Sequence, residues 1–459
     1  MSAVLDGPFH LIGVGGAGMS GIALLLADRG LATSGSDGRD SAVLQTLRDA
    51  GVRVFVGHAA EQVPAGSTVV VSSAVKEDNP ELAAARAAGL SVLHRSEALA
   101  ALMADRRGVA VAGTHGKTST TGMVTVVLRE CGLDPSFAIG GQLTDSGVGA
   151  HAGAGEAFVA EADESDGSFL RYRPEVAVIT NVEADHLDHY GTAEAVDAAF
   201  VEFCRTVRAG GLVVACGDDP GVRRVLEAVG PELAARGVQV SRYGYEPGLG
   251  NDVLLTAADP LGIEGVGSVR LQVPGRHMAL NAAAAWRVAV HLGAEPAEAL
   301  QALAAFAGTK RRFELRGTAR GIRVFDDYAH HPTEIRALLA AARPVAGDGR
   351  LVVVFQPHLP SRTRAFAREF GEALSAADEV VVLDVYAARE APDPQVNGAL
   401  VAGYVTGVAT HADVPASAVP DLVAGLTKPG DVVLTVGAGD VTELGPLILD
   451  ALAEPAATR

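Results

Sequence analysis

Residues 109–119, Val-Ala-Val-Ala-Gly-Thr-His-Gly-Lys-Thr-Ser, join a short apolar run to a glycine-rich turn. The apolar run predicts a buried strand, and we expect a helix to begin after the turn. Backbone amides of such a turn can surround phosphate groups, while the Lys117 ammonium meets the β- and γ-phosphate oxygens and the Thr118 hydroxyl binds Mg²⁺. The turn therefore predicts a phosphate-binding loop.

This loop is a shortened form of the usual pattern, which has a glycine where Val111 stands. Gly113 supplies the flexibility instead. A chance Gly-Lys-Thr sequence in a surface turn is the alternative interpretation. The position after a buried strand argues against it, as does the presence of only four lysines in the chain.

A second strand–turn–helix pattern lies near the start of the chain. Residues 9–14 predict a buried strand and residues 19–29 a helix, and the turn Gly13-Val-Gly15-Gly-Ala-Gly18 matches G-x-G-x-x-G. Asp37 follows about twenty residues later, where a ribose-binding acid stands in dinucleotide-binding folds. Taken alone, the pattern predicts an NAD-dependent oxidoreductase, and a tight turn without a ligand is the bland alternative. It favours a nucleotide diphosphate without settling which nucleotide.

Further along the chain, short apolar runs alternate with longer Ala- and Leu-rich stretches, which predicts an α/β protein with parallel sheets. Predicted strands occupy residues 68–72, 157–161, 176–181, 212–216, 322–325, 351–355, 380–383 and 432–436, and residues 241–273 predict short strands joined by turns. A length of 459 residues corresponds to about three domains. A polar run at 105–108 predicts a linker, and a second boundary falls near 313–317. We therefore expect domains over residues 1–105, 106–315 and 316–459.

Composition excludes several classes of function. The chain has 37 basic and 55 acidic residues and a net charge of −18, which disfavours binding to nucleic acid or to anionic membranes. Its three cysteines, Cys131, Cys204 and Cys216, have no disulfide or zinc spacing, so a reducing compartment fits. No signal peptide and no membrane-spanning apolar run is evident, and we expect a cytoplasmic protein.

Acidic residues follow two of the predicted strands. Glu161-Ala-Asp163-Glu164-Ser165-Asp166 ends one strand, and Thr180-Asn-Val-Glu-Ala-Asp-His186 ends another. Carboxylates at this edge of an open sheet lie beside a bound nucleotide, and a magnesium ion prefers oxygen ligands. Solvated acidic turns are the alternative, and for His186 a hydrogen-bonded loop histidine is the simpler interpretation.

The third region has its own polar cluster. Asp326-Asp-Tyr-Ala-His-His-Pro-Thr333 follows a predicted strand, and Pro332 suggests a helix start. Basic residues lie near it in sequence, at 310–312 and at Arg362 and Arg364. They concentrate positive charge in an acidic chain, as binding of a carboxylate or phosphate requires, although a single arginine is more often part of a surface ion pair.

Together these segments resemble the Mur ligase family over essentially the whole chain. The resemblance is carried by residues 13–21 (GVGGAGMSG), 113–118 (GTHGKT), 161–166 (EADESD), 181–186 (NVEADH), 326–334 (DDYAHHPTE) and 437–440 (GAGD). It implies three domains: a Rossmann-like UDP-binding domain, a central P-loop ATPase-type α/β domain and a C-terminal Rossmann-like α/β domain. It also implies a ligase that uses ATP and Mg²⁺ to join L-alanine to the lactyl carboxylate of UDP-N-acetylmuramate in peptidoglycan precursor synthesis.

The resemblance also implies site residues. Those expected to bind the UDP-linked substrate are Gly15, Gly16, Ala17, Gly18, Met19, Ser20, Asp37 and Ser72. Those expected to bind ATP are Gly113, Thr114, His115, Gly116, Lys117, Thr118, Ser119, Asn281, Arg312 and Asp327. Those expected to bind metal are Thr118, Glu161 and His186, and Lys117, Glu161 and His186 are the expected catalytic residues. Tyr328, His330 and Arg362 are expected to receive the amino acid. An acyl phosphate is the implied intermediate, with closure of the domains excluding water from it.

Three features depart from the family pattern. Met278 stands where an asparagine usually follows His277, which affects one adenine contact. Leu359 and Pro360 stand where an Arg–aromatic pair is common, so a contact to the amino acid is lost or replaced by Arg364. No lysine lies between Lys117 and Lys310, so the carbamylated lysine of many Mur ligases is absent, as in the alanine-adding branch.

Three rival interpretations stay open at this point. A ligase of the same family with another amino acid or a recycled peptide as acceptor is the nearest. An NAD-dependent oxidoreductase predicts NADH binding without ATP hydrolysis, and a non-catalytic nucleotide sensor predicts ATP binding without turnover. The protein is expected to be a monomer or a homodimer.

Overall fold

The computed structural model describes residues 5–412 and 414–453. These form three sheets and two compact units. The first unit contains the chain through Gln272 together with Met278–Ala307, and the second contains Val273–His277 and the chain from Gly308 onward. The first two sheets belong to the first unit, and the third sheet belongs to the second.

The first sheet has five parallel strands in the order β3-β2-β1-β4-β5. Its strands are β1 (Phe9–Ile12), β2 (Thr33–Asp37), β3 (Arg53–Val56), β4 (Thr68–Val71) and β5 (Val92–His94). Its helices are α1 (Ala17–Asp28), α2 (Ala42–Asp49), α3 (Pro80–Ala87) and α4 (Arg95–Met103), with a 3₁₀ turn at Ala60–Gln62. The strand order reverses between β1 and β4, and ligands of such sheets bind in the crevice at the carboxyl ends of those strands.

The second sheet has ten strands in the order β15-β14-β13-β12-β11-β10-β6-β9-β7-β8. These are β6 (Arg107–Ala112), β7 (Ser136–Ala138), β8 (Ala150–His151), β9 (Ala157–Glu161), β10 (Val176–Ile179), β11 (Leu212–Cys216), β12 (Gln239–Gly244), β13 (Val253–Ala258), β14 (Leu261–Ile263) and β15 (Gly267–Val269). Its helices are α5 (Lys117–Glu130), α6 (Leu187–Tyr190), α7 (Ala193–Arg205), α8 (Pro220–Ala235), α9 (Arg276–His291) and α10 (Pro296–Ala302), with 3₁₀ turns at Ser168–Arg171, Pro247–Leu249 and Leu303–Ala305. The strands β12 to β15 confirm the prediction of short strands over 241–273.

One local prediction for this region is wrong. The polar run at 105–108 was expected to be a linker, but Arg107 and Gly108 already belong to β6 and pair with Ala157 and Phe158 of β9. The Arg107 guanidinium lies at the end of the sheet and pairs with Glu175, Nη2 to Oε1 at 2.6 Å. An arginine can therefore start a central strand, because its charge is compensated at the strand's end.

The third sheet has six strands in the order β16-β17-β21-β18-β19-β20. These are β16 (Glu314–Ala319), β17 (Ile322–Asp327), β18 (Leu351–Phe355), β19 (Glu379–Val382), β20 (Ala409–His411) and β21 (Val432–Val436). Its helices are α11 (Pro332–Ala346), α12 (Pro360–Leu374), α13 (Gly398–Ala402), α14 (Val419–Leu426) and α15 (Leu444–Ala453), with 3₁₀ turns at Ala416–Ala418 and Asp440–Glu443. Pro332 opens α11 as predicted, and the His331 and Glu334 side chains cap its N-terminus.

The interior strands of all three sheets are apolar. For example, β11 and β18 are buried along their whole length, as expected for parallel strands covered on both faces. Residues with small or polar side chains begin where these strands end, which places the glycine-rich turns and the acidic loops at the carboxyl edges of the sheets. Among the described residues, no helix has the length and apolar character that a membrane span requires.

Candidate active site

The phosphate-binding loop connects β6 to α5 and requires glycine at two positions. Gly113 and Gly116 have φ of 136° and 82°, which L side chains rarely adopt. A Cβ at Gly113 would lie 2.0 Å from Thr180 Oγ1, and one at Gly116 would lie 2.9 Å from Asn281 Oδ1. The loop is therefore packed closely against two polar side chains.

The segment after β10 holds this loop in place. The His115 N–H donates to Asn181 Oδ1 at 2.8 Å, and the His115 carbonyl accepts from Asn181 Nδ2 at 3.0 Å and from Thr180 Oγ1 at 2.6 Å. Because these bonds fix the loop backbone, the residues of two separate sequence motifs form one structure. The segment predicted to carry carboxylates also supports the phosphate loop.

Lys117 lies at the centre of the loop. Its Nζ donates to the Gly113 carbonyl at 2.7 Å, to the Thr114 carbonyl at 3.2 Å and to Glu164 Oε1 at 2.9 Å. Burial opposes the charged ammonium, but Glu164, Asp163 and then Glu161 raise the pKa of Lys117 overall. Burial raises the pKa of Glu164 to about 7, although the Lys117 charge opposes the shift. The ammonium is thus kept protonated and held inside the loop.

Two predicted metal ligands, Thr118 and Glu161, both pack against the adjacent glycines Gly140 and Gly141. Glu161 Oε2 accepts from the Gly140 N–H at 2.8 Å, and a Cβ at Gly141 would lie 3.2 Å from Thr118 Cγ2. A Cβ at Gly140 would lie 2.5 Å from Glu161 Oε2, so glycine is needed there. The Thr118 methyl group faces Gly141, and the side chains of this pair also carry a hydroxyl and a carboxylate, the oxygen donors that a hard divalent cation prefers.

His186, the third predicted metal ligand, lies beside two other carboxylates. Its Nε2 lies 3.7 Å from Glu164 Oε1 and 3.7 Å from Asp185 Oδ2. Its φ of 52° is unusual for a residue other than glycine. His186 and Lys117 thus approach the same buried carboxylate.

A cavity of about 600 Å³ opens at the carboxyl ends of β1, β2 and β4. Five residues predicted to bind the UDP-linked substrate line it: Gly16, Gly18, Met19, Asp37 and Ser72. The prediction missed other lining residues, among them His58, Lys76, Asn79 and Arg95. The cavity lies at the crossover between β1 and β4, as the fold requires.

Asp37 has a role that the pattern did not predict. The Gly15 N–H donates to Asp37 Oδ2 at 2.9 Å, so this carboxylate fixes the glycine-rich turn itself. Of the remaining predicted residues, Ala17 is the first residue of α1 and Ser20 follows in its first turn. The structure therefore brings five of the eight predicted residues to one cavity, and it directs the Gly15 amide at a side chain.

The acidic loop after β9 contacts both sheets of the first unit. Asp163 Oδ2 accepts from Arg95 Nη2 at 3.0 Å, and Asp166 Oδ2 accepts from Ser73 Oγ at 2.8 Å. Sequence reasoning missed Arg95. Its position directly after β5 was the available signal, because basic side chains at the carboxyl end of a strand face the ligand side of such a sheet.

Asp327 in the second unit is buried and accepts two backbone hydrogen bonds, from the Phe313 N–H at 2.7 Å and the Ala329 N–H at 2.8 Å. Burial raises the pKa of Asp327 to about 6, against the opposing charge of Arg312. The predicted pair Arg312 and Asp327 is therefore brought together within this unit.

The residues predicted to receive the amino acid form an aromatic and basic cluster. The guanidinium groups of Arg311 and Arg312 lie 4.7 Å and 5.1 Å from the centroid of the Tyr328 ring. The His330 ring meets Tyr328 edge-on at 5.3 Å and lies 6.1 Å from the His358 ring. Rings and cations so arranged can hold a small zwitterion.

Arg362 joins this cluster through His358. Burial, followed by the charge of Arg362, lowers the pKa of His358 to about 4. The Arg364 side chain is paired with Asp393 and is largely exposed. Arg362 rather than Arg364 is thus the α12 arginine associated with the ring cluster.

The positions that depart from the family pattern also have defined surroundings. Leu359 is buried with φ of 72°, and Pro360 is the first residue of α12. Met278 is buried, and its Sδ lies 3.9 Å from Asn281 Nδ2. Met278 thus supports Asn281, which itself packs against Gly116 of the phosphate loop.

Sequence comparison identifies relatives of the whole chain. Three family profiles match it: "Mur ligase family, catalytic domain" over residues 8–107, "Mur ligase middle domain" over 111–289 and "Mur ligase, glutamate ligase domain" over 311–439. A UDP-N-acetylmuramate–L-alanine ligase of Kineococcus radiotolerans is 58% identical, covering 98% of this chain and 97% of its own. The enzyme of that name from Saccharopolyspora erythraea is 55% identical, covering 96% and 92%.

A solved structure is similar over the same extent. The crystal structure of a UDP-N-acetylmuramate-alanine ligase from Thermotoga maritima has a TM-score of 0.78 and 28% identity, and the match covers 97% of this chain and 99% of that one. The similarity thus extends over all three sheets.

Proposed function

This chain belongs to the Mur ligase family, and we propose that it joins L-alanine to the lactyl carboxylate of UDP-N-acetylmuramate at the expense of ATP. One observation carries the proposal: a relative named UDP-N-acetylmuramate–L-alanine ligase is 58% identical over nearly the full length of both chains. The geometry is consistent with it, because the phosphate loop and the 600 Å³ cavity lie in one compact unit.

The chemistry begins with a carboxylate, which is a poor acyl donor. Transfer of the γ-phosphoryl group of ATP to one carboxylate oxygen gives an acyl phosphate and ADP. The neutral amine of alanine then attacks the acyl carbon, the C–O bond to phosphate breaks, and the amine loses a proton as the amide forms. Lys117 offsets the charge that develops on the transferred group, because its ammonium is fixed in the loop.

Thr118 and Glu161 are proposed to hold Mg²⁺, and His186 to contribute to a second metal site. The Glu161 carboxylate lies against Gly140 and the Thr118 methyl group faces Gly141, and the carboxylate and hydroxyl of this pair are oxygen donors that a hard cation prefers. Bound Mg²⁺ supplies charge stabilisation and orientation for the phosphates. Asn281 and Asp327 are proposed to contact the nucleoside of ATP, and Tyr328, His330 and Arg362 the alanine.

The family membership argues against an oxidoreductase. The G-x-G-x-x-G turn that suggested NAD lies in the region matched by the first Mur ligase profile, which spans residues 8–107. The three cysteines are free thiols, which agrees with a reducing compartment, and we propose the cytoplasm as the site of the reaction.

The experiment that tests the proposal is phosphate release from ATP with Mg²⁺ and UDP-N-acetylmuramate, across a panel of single amino acids and the recycled tripeptide. Release that depends on both UDP-N-acetylmuramate and L-alanine is the expected result. It would also show that Met278 and Leu359 are compatible with the reaction.

Two other outcomes would change the assignment. Release with only the tripeptide or another amino acid would keep the mechanism and replace the acceptor. No release with any of them would contradict the ligase proposal and favour a nucleotide sensor or a different sugar acid.

A further inference from the structure

Four of the six N–H groups in the glycine-rich turn of residues 13–18 already donate within the protein: those of Gly13, Val14, Gly15 and Gly16. The other two residues of the turn, Ala17 and Gly18, are the first residues of α1. Asp37 accepts the hydrogen bond from Gly15. Asp37 and Asp78 both line the cavity. Because two carboxylates line the cavity, a diphosphate bound there is stabilised by a positive side chain close to the turn.

Arg95 occupies that position. A Cβ placed on Gly18 would lie 3.2 Å from Arg95 Nη1, so the guanidinium lies over the end of the turn. Lys76 is the other lysine or arginine among the described residues that line the cavity, and it is exposed. Arg95 is instead partly buried, with 25% of its side chain accessible.

Arg95 also reaches toward the phosphate loop. It lines a second cavity, of about 230 Å³, together with Gly18, Gly140, Glu161 and Asp163. Its Nη2 donates to Asp163 Oδ2 at 3.0 Å, and the same carboxylate interacts electrostatically with Lys117. One Arg95 nitrogen is thus committed to the acidic loop, while the other is directed at Gly18.

We propose that Arg95 binds the diphosphate of the UDP-linked substrate and that Asp163 orients its guanidinium for this contact. A planar guanidinium suits this task, because its parallel N–H groups can bind two phosphate oxygens. The inference rests on the proposed function only for the identity of the substrate. The anion site itself follows from the position of Arg95 beside Gly18 on the wall of the cavity.

Equilibrium binding of uridine, UDP and UDP-N-acetylmuramate to wild type and variants tests the inference. Arg95→Ala is expected to raise the Kd for UDP and for UDP-N-acetylmuramate by about 10- to 100-fold and to leave uridine binding unchanged, because charge-assisted hydrogen bonds are lost only with the phosphates. The Kd of Arg95→Lys for UDP is expected to lie between those of wild type and Arg95→Ala, because lysine keeps the positive charge but lacks the parallel N–H groups of a guanidinium. Asp163→Asn keeps Arg95 but weakens the contact that orients it, and is expected to raise the Kd for UDP by less than Arg95→Ala does.

Arg171→Ala is the matched control. Arg171 pairs with Glu97, which lies on α4 together with Arg95. The Arg171→Ala substitution therefore tests whether loosening α4 by itself disturbs the cavity. Wild-type affinity of Arg171→Ala, with the loss in Arg95→Ala, supports the inference. An Arg95→Ala variant that binds UDP like wild type contradicts it, and so does equal loss of uridine and UDP.

Two further outcomes also overturn the inference. A loss confined to UDP-N-acetylmuramate would assign Arg95 to the sugar acid instead. If Asp163→Asn lost as much UDP affinity as Arg95→Ala, the pair would be structural. Phosphate release by wild type separates the two proposals, because UDP binding through Arg95 without alanine-dependent release would contradict the ligase and keep the anion site.

Discussion

At the scale of single residues, Lys117 gives the most direct test of the phosphate loop. Lys117→Ala is expected to lower phosphate release by roughly 100- to 1,000-fold, because the charge on the transferring phosphoryl group loses its fixed counter-charge. Binding of UDP-N-acetylmuramate should stay close to that of wild type, since the cavity of the first sheet does not include Lys117.

The control for this change is Lys428→Ala, which removes an exposed lysine elsewhere in the chain. Steady-state phosphate release and calorimetric binding of UDP-N-acetylmuramate are the measurements. Turnover like that of wild type in Lys117→Ala would overturn the phosphate-loop assignment.

Asp327 predicts a pH dependence of stability. Its folded pKa of about 6 is above the value of about 3.9 for an unfolded chain. The contribution of this group to the free energy of unfolding is therefore full below about pH 4 and is lost as pH rises through 6. The advantage of wild type over Asp327→Asn should shrink by up to about 3 kcal/mol between pH 4 and pH 7.

Denaturant unfolding of both proteins across this pH range measures the difference. The exposed Asp348, in the same unit, provides the control substitution Asp348→Asn. If the difference in free energy of unfolding between wild type and Asp327→Asn does not change with pH, Asp327 keeps an ordinary affinity for protons.

At the scale of elements, the start of α8 shows how a helix fixes the segment after β10. The Asp219 side chain caps α8 through the Val222 N–H at 2.8 Å and also accepts from the Val182 N–H at 3.2 Å. A Cβ at Gly221 would lie 2.0 Å from the Val182 carbonyl oxygen. Close contact here positions the segment that carries Asn181 and His186.

Gly221→Ala is accordingly expected to destabilise the protein by about 1–3 kcal/mol through overpacking and to reduce phosphate release. Gly230→Ala lies in the same helix, where a Cβ meets nothing within 4 Å, and is expected to stabilise by about 0.5–1 kcal/mol through helix propensity. Denaturation midpoints and phosphate release of both variants are compared. Equal effects of the two substitutions would refute the contact argument.

At the scale of the whole molecule, the two proposed nucleotide sites lie on different sheets and should respond separately. Asp37→Ala removes the acceptor that fixes the Gly15 amide and part of the cavity wall. It is expected to raise the Kd for UDP-N-acetylmuramate by about tenfold, as expected for loss of a charge-assisted hydrogen bond, while the Kd for ATP stays unchanged.

Asp40→Ala, an exposed acid of the loop after β2 that pairs with Arg48, is the control. Calorimetric titration with each nucleotide separates the two sites. A defect specific to ATP in Asp37→Ala would mean that the assignments of the two nucleotide sites are exchanged.

Much of the fold is local in origin and was predictable. Apolar runs such as 212–216 and 351–355 are strands because their side chains are buried on both faces, and the structure confirms both ranges. Seven strands were missed: β2, β3, β5, β7, β8, β16 and β20. Five of these lie at sheet edges, and β2 and β7 lie inside their sheets. The buried strand β2 has the sequence Thr-Ser-Gly-Ser-Asp, so even an interior strand can lack the continuous apolar run that would reveal it.

The sequence by itself determined the α/β class, the phosphate loop and the membership of the Mur ligase family, because strand burial and glycine–lysine–threonine chemistry are written in consecutive residues. Only the tertiary structure decided which distant residues meet. Glu164 pairs with Lys117, and Asp37 accepts a hydrogen bond from the Gly15 N–H. Arg95 lies between Gly18 and Asp163. These contacts join residues 22 to 77 positions apart, the widest being Arg95 and Gly18. Strand order, which no local pattern contains, places them side by side.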